Sequence, residues 1–160
     1  MASTDPAFVP APLQFGVREP GVDHKDRPAA FGIAEHDGCI ALVRVQKPGA
    51  APWLDLPGGA LDAREGEAEA LRREFGEETG LIVACGPLVA RADQYFLKTE
   101  GEPVNNRSGV FEATVEGDDP ALKIEDDHTL VWMPPQEAAV RLRHDSHAWA
   151  VLAWLRRRAA

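Results

Sequence analysis

The sequence predicts an α/β fold, a mixed sheet held between helical layers. Three observations carry that expectation. A helix-like stretch at residues 66–79 sits mid-chain with apolar, strand-like segments on both sides. Those segments are short and are broken by Gly, Pro and Asp-Gly signals, and two further helical stretches close the chain after Pro134. Strands around a central helix, with helices last, pack as layers over one sheet. The 160 residues, 44% apolar and 27% charged, are enough for one globular domain with its own core, expected over residues 13–160.

Taken in order, residues 1–12 are small, polar and proline-rich, and are expected to form a mobile tail. Residues 13–18 alternate Leu13, Phe15 and Val17 on one side, a short strand, and 21–27 read as a charged loop. Residues 29–35 and 39–46 are apolar runs joined through His36-Asp37-Gly38, and an Asp-Gly pair there signals a hairpin. His36 is then a solvent-facing turn residue. A loop at 47–52 leads to a strand at 53–56. Trp53 is expected to pack rather than to stack on a ligand, and Asp55 to accept backbone hydrogen bonds from the glycines that follow.

For the central helix, Glu67 and Glu69 complement the positive end of the dipole. Gly80 fits the left-handed terminating position, and Ala68, Leu71 and Phe75 form the buried stripe. Strands at 81–84 and 88–97 are expected to be divided by Gly86-Pro87. A polar hairpin loop at 98–107 precedes a strand at 108–115. An acidic loop at 116–127 leads to a strand at 128–132, with His128 expected as a structural residue at its entry. Pro134-Pro135 opens a helix at 136–142. Asp145 or Ser146 caps a last helix running to about residue 158, with Trp149, Leu152 and Ala153 against the sheet. Arg156, Arg157 and Arg158 then meet the negative end of its dipole.

The net charge of −9 argues against binding nucleic-acid polymers through a general field, which needs a basic face. A small polyanion is compatible with it if metal ions lie between ligand and carboxylates. Cys39 and Cys85 match no metal or redox spacing, and their apolar neighbours suggest buried free thiols in a reducing compartment. No apolar run approaches the ~20 residues of a membrane span. The N-terminus has neither the basic start nor the apolar stretch of a secretion signal. A cytoplasmic location without membrane contact is expected.

The chemistry concentrates in residues 58–81, GGALDAREGEAEALRREFGEETGL. On a helix Glu74, Glu77 and Glu78 stand at i, i+3 and i+4, three like charges on one face that repel unless a cation compensates them. Hard oxygen ligands of this kind suit Mg²⁺ or Mn²⁺. The preceding glycines let backbone approach a ligand closely.

From Gly59 the spacing resembles the signature of the Nudix hydrolases, G-x5-E-x7-R-E-U-x-E-E-x-G-U with U a bulky aliphatic residue. Every fixed position matches, and the lead-in Leu56-Pro57-Gly58-Gly59 is family-like. The one departure is Phe75, which is still apolar and expected to face the core. The resemblance implies a Nudix-type α/β/α sandwich and hydrolysis of a nucleoside diphosphate linked to another moiety, with Mg²⁺ or Mn²⁺ as cofactor.

It also implies roles, residue by residue. Glu74, Glu77 and Glu78 would hold the metal, with the Gly58 carbonyl a further ligand. Glu65 would accept a hydrogen bond, and Arg73 would orient a glutamate. The catalytic base is left open among Glu65, Glu78 and Glu125, the last from the acidic loop with Asp126 and Asp127 beside it. Arg44 is a candidate for substrate phosphate; Tyr95, Phe96, Asn105 and Arg107 are candidates for base or sugar. The implied partner is a small-molecule nucleotide, with the protein a monomer or homodimer. A nucleoside triphosphate, oxidised forms included, is the first expectation. ADP-ribose, nucleotide sugars and dinucleoside polyphosphates are the alternative, and a nucleotide sensor without catalysis is a third reading.

Overall fold

The fold is organised by one long strand with two buried faces. In the computed structural model, which describes residues 12–159, strand β2 (Lys25–His36) sends Ala29, Phe31 and Ile33 into one apolar cluster and Ala30 and Ala34 into another. Side chains alternate along a strand, so covering both faces requires helices on both sides. The expected tail lies outside the described residues apart from Pro12.

The other elements are β1 (Leu13–Phe15), β3 (Cys39–Val45), β4 (Trp53–Asp55), β5 (Gly58–Ala60), α1 (Glu67–Thr79), β6 (Leu81–Leu97), β7 (Pro103–Asp118), a 3₁₀ turn at Pro120–Leu122, β8 (His128–Met133), α2 (Pro135–Arg141) and α3 (Asp145–Arg158). The sheet runs β1-β6-β7-β2-β3-β4, with β5 also on β2 and β8 on β3. β1 runs parallel to β6 and β2 to β7, and the other pairs are antiparallel. This is the mixed sheet of an α/β/α sandwich. α1 covers one face through Ala70, Leu71 and Phe75. α2 and α3 cover the other through Ala138, Leu142, Ala150, Val151 and Trp154.

Local chemistry explains the joins. The β2–β3 hairpin pairs His36 with Cys39 and turns through Asp37 and Gly38, both at positive φ (49° and 76°), as a two-residue primed turn requires. α1 ends on Gly80 at φ 78°, whose N–H donates to the Gly76 carbonyl (2.8 Å). The Gly80 carbonyl in turn accepts from Asp119 N–H (2.8 Å), which starts the return of the chain along the helix.

Several boundaries differ from expectation. β1 stops at Phe15, Val17 is exposed, and β2 begins at Lys25 inside the expected charged loop. β6 runs unbroken through Gly86-Pro87, because its register against β7 shifts there and the proline meets no ladder bond. The polar hairpin loop is only residues 98–102, since Asn105, Asn106 and Arg107 already pair with β6 and β2. On α1 Ala68 is exposed and Ala70 is buried in its place. On α3 Leu152 is exposed and Trp154 buried. Neither Asp145 nor Ser146 caps α3: its N-cap position is His144, and the Ser146 N–H donates to Gln94 Oε1 (3.1 Å). Cys39 and Cys85 are free and half-buried. Among the described residues no helix is long and apolar enough to cross a membrane.

Phe75 has a structural reason. It is fully buried, and a Cβ on Gly32 would lie 2.7 Å from its Cε2 and 3.0 Å from Leu71 Cδ1. The large ring fills the space that a missing side chain leaves. Gly32→Ala is therefore expected to destabilise the protein by about 1–3 kcal/mol through overpacking. In a Phe75→Leu background the same change should cost clearly less, as urea unfolding of the four-member mutant cycle will read. Additive costs would mean that the two positions do not complement each other.

Candidate active site

The signature glutamates are organised by one guanidinium. Arg73 donates through Nε to Glu65 Oε2 (2.8 Å) and through Nη2 to Glu65 Oε1 (2.9 Å) and the Ala60 carbonyl (3.1 Å). Its Nη1 reaches Glu74 Oε1 (2.9 Å) and Glu77 Oε2 (3.1 Å). A planar fork with five donors can serve several carboxylates at once, which an ammonium cannot do with fixed geometry. Glu65 also accepts from Asp62 N–H (2.9 Å). The hydrogen bonds from Arg73 hold the Glu65 carboxyl down at about 2, and those same bonds raise the pKa of Arg73.

Glu74 and Glu78 point inward instead. Glu74 packs on Gly59, where an added Cβ would meet the carboxyl carbon at 2.9 Å. Glu78 is 5% exposed and accepts from Gly58 N–H at Oε1 (2.8 Å) and from His128 Nε2 at Oε2 (3.0 Å). Gly58 sits at φ 141° with Ala30 O only 2.2 Å from where a Cβ would be, so the close approach needs glycine. Burial pushes Glu78 up to about 7 against these hydrogen bonds. It also raises Glu74, which Arg73 offsets only in part. His128 stands at about 9: burial lowers it, and the contacts to Glu78 and then Asp127 outweigh that.

Glu74 and Glu78 open into a cleft of about 360 Å³ that Glu125 also lines. The loop carrying Glu125 is pinned to the helix, because the amides of Ile124 and Glu125 both donate to the Glu77 carbonyl (3.0 and 3.1 Å). Glu125, Asp127 and His128 bring ligand-type atoms within 4.8 Å of one another. The cleft is also lined by Trp53, Phe96, Arg143 and His144. The Arg143 guanidinium carbon lies 4.5 Å from the centre of the Trp53 ring, and Arg143 donates to both oxygens of Asp55 (3.1 and 2.7 Å). Asp55 therefore anchors an arginine and the Trp53 indole N–H (3.0 Å), not the glycine pair as expected. His144 Nε2 is buried without a hydrogen-bond partner among the described residues.

The other sequence candidates lie apart. Arg44 is exposed and alternates with Val45, which does line the cleft. Tyr95 packs edge-on against His24 (5.0 Å), Asn105 bonds Gln14, and Arg107 pairs with Asp93 (2.6 Å) and Asp26 (3.3 Å). Phe96, also a candidate, does line the cleft, and on β7 it is Asn106, between Asn105 and Arg107, that joins it, a one-residue difference in register. Arg27 joins them, donating to Asn106 Oδ1 (2.9 Å) and making no ion pair among the described residues. Burial lowers its pKa. Reading residues 21–27 and 98–107 as loops hid both Arg27 and Asn106. Lys47, Arg143 and His144 carried no motif; strand pairing, not spacing, brings them in.

Comparison with known proteins decides the family: the NUDIX domain model matches residues 25–155. The chain belongs to the Nudix family. A Mycobacterium tuberculosis protein, provisionally named 8-oxo-dGTP diphosphatase 2, is 51% identical over 49 residues, 29% of this chain and 35% of that protein. The match thus spans about a third of that relative's length. Among solved structures, a NUDIX hydrolase from Nitrosomonas europaea superposes with a TM-score of 0.69 at 21% identity, covering 81% of this chain and 88% of that one. The MutT protein from Methanosarcina mazei Go1 gives 0.67 at 19% identity, covering 87% and 99%. Likenesses at this identity speak for the Nudix fold.

The residues present fit a divalent cation. Glu78 has no Lys or Arg partner, Glu74 shares one, and burial disfavours charge on both. A hard cation with oxygen ligands would add positive charge beyond what Arg73 and His128 supply. The Arg73 fork, by contrast, is a structural ion-pair hub of the Nudix helix. The Glu65 pKa of about 2 lies below its ordinary 4.5. Glu65 therefore contributes stability that is present above pH 4.5 and lost as pH falls through about 2. With EDTA present, Glu65→Gln is expected to lower Tm most above pH 4.5, with the gap to wild type closing toward pH 2. A gap that stays constant across that window would refute the linkage.

Proposed function

We propose that this Nudix chain is a divalent-metal-dependent pyrophosphohydrolase of small nucleotides, with a nucleoside triphosphate, oxidised forms included, as its substrate. The carrying observation is that one cleft is lined both by Glu74, Glu78 and Glu125 and by the Arg143–Trp53 stack with Phe96 and His144. A planar base suits a wall of aromatic rings and a guanidinium plane. A polyphosphate suits the carboxylates once cations are bound there. Arg27 lines the same cleft, bonded to the neutral Asn106, and is our candidate cation for a phosphate oxygen. The local identity to the provisionally named 8-oxo-dGTP diphosphatase supports an oxidised purine nucleotide as one member of the panel.

Glu74, Glu77 and Glu78 would hold Mg²⁺ or Mn²⁺, with the Gly58 carbonyl as a further candidate ligand. Bound there, the ions would neutralise non-bridging phosphate oxygens and lower the pKa of water. Water oxygen attacks phosphorus, the phosphoanhydride P–O bond breaks, and the leaving phosphate departs with the bridging oxygen. The proton goes to a base, and Glu125 is our candidate. It lines the cleft, and its carboxylate makes no hydrogen bond or ion pair among the described residues. Glu65 is a poor base, being fully engaged by Arg73 and Asp62 N–H with its pKa near 2.

The test is a phosphate-release screen with coupled phosphatases over normal and oxidised nucleoside triphosphates, ADP-ribose, nucleotide sugars and dinucleoside polyphosphates. We expect Mg²⁺- or Mn²⁺-dependent turnover of a nucleoside triphosphate, abolished by EDTA. Glu78→Gln should lower kcat by on the order of a hundredfold or more, a typical loss when a group stabilising developing charge is removed. Wild-type turnover in the folded variant would sink the assignment. No turnover of any nucleotide, with nucleotides still raising Tm, would favour a sensor.

A further inference from the structure

Glu78 is held by more than its helix. Gly58 N–H takes Oε1 (2.8 Å) and His128 Nε2 takes Oε2 (3.0 Å), so each oxygen has a partner of its own. His128 is fixed in turn: its Nδ1 bonds Asp127 Oδ1 (2.7 Å), and Asp127 Oδ2 takes the Lys47 ammonium. Backbone bonds hold the same segment, with Gln46 N–H donating to the Asp127 carbonyl (2.9 Å) and His128 N–H to the Glu125 carbonyl (3.2 Å). A file of four side chains thus runs from the loop after β3, through the loop before β8, to the last turn of α1. None of its first three members belongs to the signature.

We propose that His128, braced by Asp127 and Lys47, is a positioning residue that sets the Glu78 carboxylate in the orientation in which it binds a divalent cation. The proposal rests on the reading of Glu78 as a metal-binding residue. A glutamate has three rotatable side-chain bonds, and in the buried end of a cleft each wrong orientation carries its lone pairs away from the ion. Hydrogen bonds to both oxygens remove those orientations before the ion arrives. They use one lone pair on each oxygen and leave another on each free, since an ionised carboxylate has about four acceptor sites. The side chains of Glu78 and His128 are 7% and 15% exposed, so water competes little for their contact. The histidine has no rotational freedom left, because Asp127 takes its other nitrogen. Partners that orient a metal-binding side chain in this way typically change metal affinity by about 10–100-fold when removed.

The experiment is Mn²⁺ binding to the full chain, by titration calorimetry and by the electron paramagnetic resonance of free Mn²⁺, in wild type, His128→Ala, His128→Gln, Asp127→Asn and Glu78→Gln. The double variant of His128→Ala with Glu78→Gln completes the set. We expect His128→Ala to weaken Mn²⁺ at least about tenfold. His128→Gln, which keeps one donor for Glu78, should recover part of the loss, and Asp127→Asn should show a smaller one. His128→Ala should add nothing once Glu78 is Gln. Unchanged or tighter Mn²⁺ binding in folded His128→Ala, with Glu78→Gln still weakened, would overturn the positioning role alone. Unchanged binding in Glu78→Gln would overturn the metal reading beneath it. If His128→Ala does not fold, His128→Gln and Asp127→Asn carry the test: either one matching wild type in both affinity and enthalpy overturns the proposal.

Discussion

A carboxylate removed from water costs several kcal/mol unless charge or hydrogen bonds compensate it, and α1 carries two, Glu74 and Glu78, that burial drives toward the protonated form. Much of the surrounding structure answers that cost. Gly58 offers an amide that only glycine can bring so close, and Gly59 leaves the space into which Glu74 fits. Arg73 shares its fork among Glu65, Glu74 and Glu77, and so ties the loop after β5 to the helix. The loop before β8 is docked on the Glu77 carbonyl and delivers His128 to Glu78. Three segments distant in sequence are thereby held against one helical turn.

The two helical layers make that arrangement rigid by unequal means. Toward α1 strands β2 and β3 present small residues, Ala30, Gly32, Ala34 and Ala41, and the helix supplies bulk there with Leu71 and Phe75. Toward α2 and α3 the sheet supplies the bulk, Phe31, Ile33, Ile40 and Leu42, and the helices meet it partly with Ala138 and Ala150. Close packing requires such complementarity of volume across each interface. Its consequence for the site is distance. Small residues under α1 let the helix lie close to β2 and β5, and that closeness allows Glu78 to reach the Gly58 amide.

What was legible in the sequence follows from the range of the interactions. The α1 helix, its left-handed Gly80 stop and the Asp-Gly hairpin depend on neighbours within a few residues, and the residue types alone indicate them. The family resemblance implies that Glu65 accepts a hydrogen bond and that Arg73 orients a glutamate, and the structure shows these to be one contact. Pairing across the sheet does not read out in the same way. Residues 98–107 look like a loop because they are polar, yet Asn105, Asn106 and Ser108 are buried in the central strand β7. Polarity there reflects a network: Gln14 on Asn105, Arg27 on Asn106 and Asp93 on the Ser108 amide. With the strand misread as a loop, its alternation was invisible, and Asn105 and Arg107 were selected where Asn106 faces the cleft. The stripe on α1 slipped for a related reason: Ala68 and Ala70 are chemically identical, and only the position of the sheet distinguishes them. Arg27 and Arg143 lie 116 residues apart and meet one cleft only through tertiary structure.

The charge distribution completes the argument about substrate. A chain of net charge −9 repels a polyanion at long range, and screening leaves short-range contacts to decide. Four Lys and Arg side chains line the cleft, Arg27, Lys47, Lys98 and Arg143, beside His128, which is held by Glu78 and Asp127. Three are already committed: Lys47 to Asp127, Lys98 to Glu100 and Glu102, and Arg143 to Asp55. Only Arg27 among them pairs with a neutral group, Asn106. One free guanidinium cannot balance a polyphosphate beside three glutamates. On the proposed function the remaining positive charge would come from ions held by those glutamates, and ion binding and substrate binding would be parts of one equilibrium. A nucleic-acid polymer would gain nothing from such a site beyond its terminal phosphates, whereas the proposed nucleotide polyphosphate would carry its charge toward the ions.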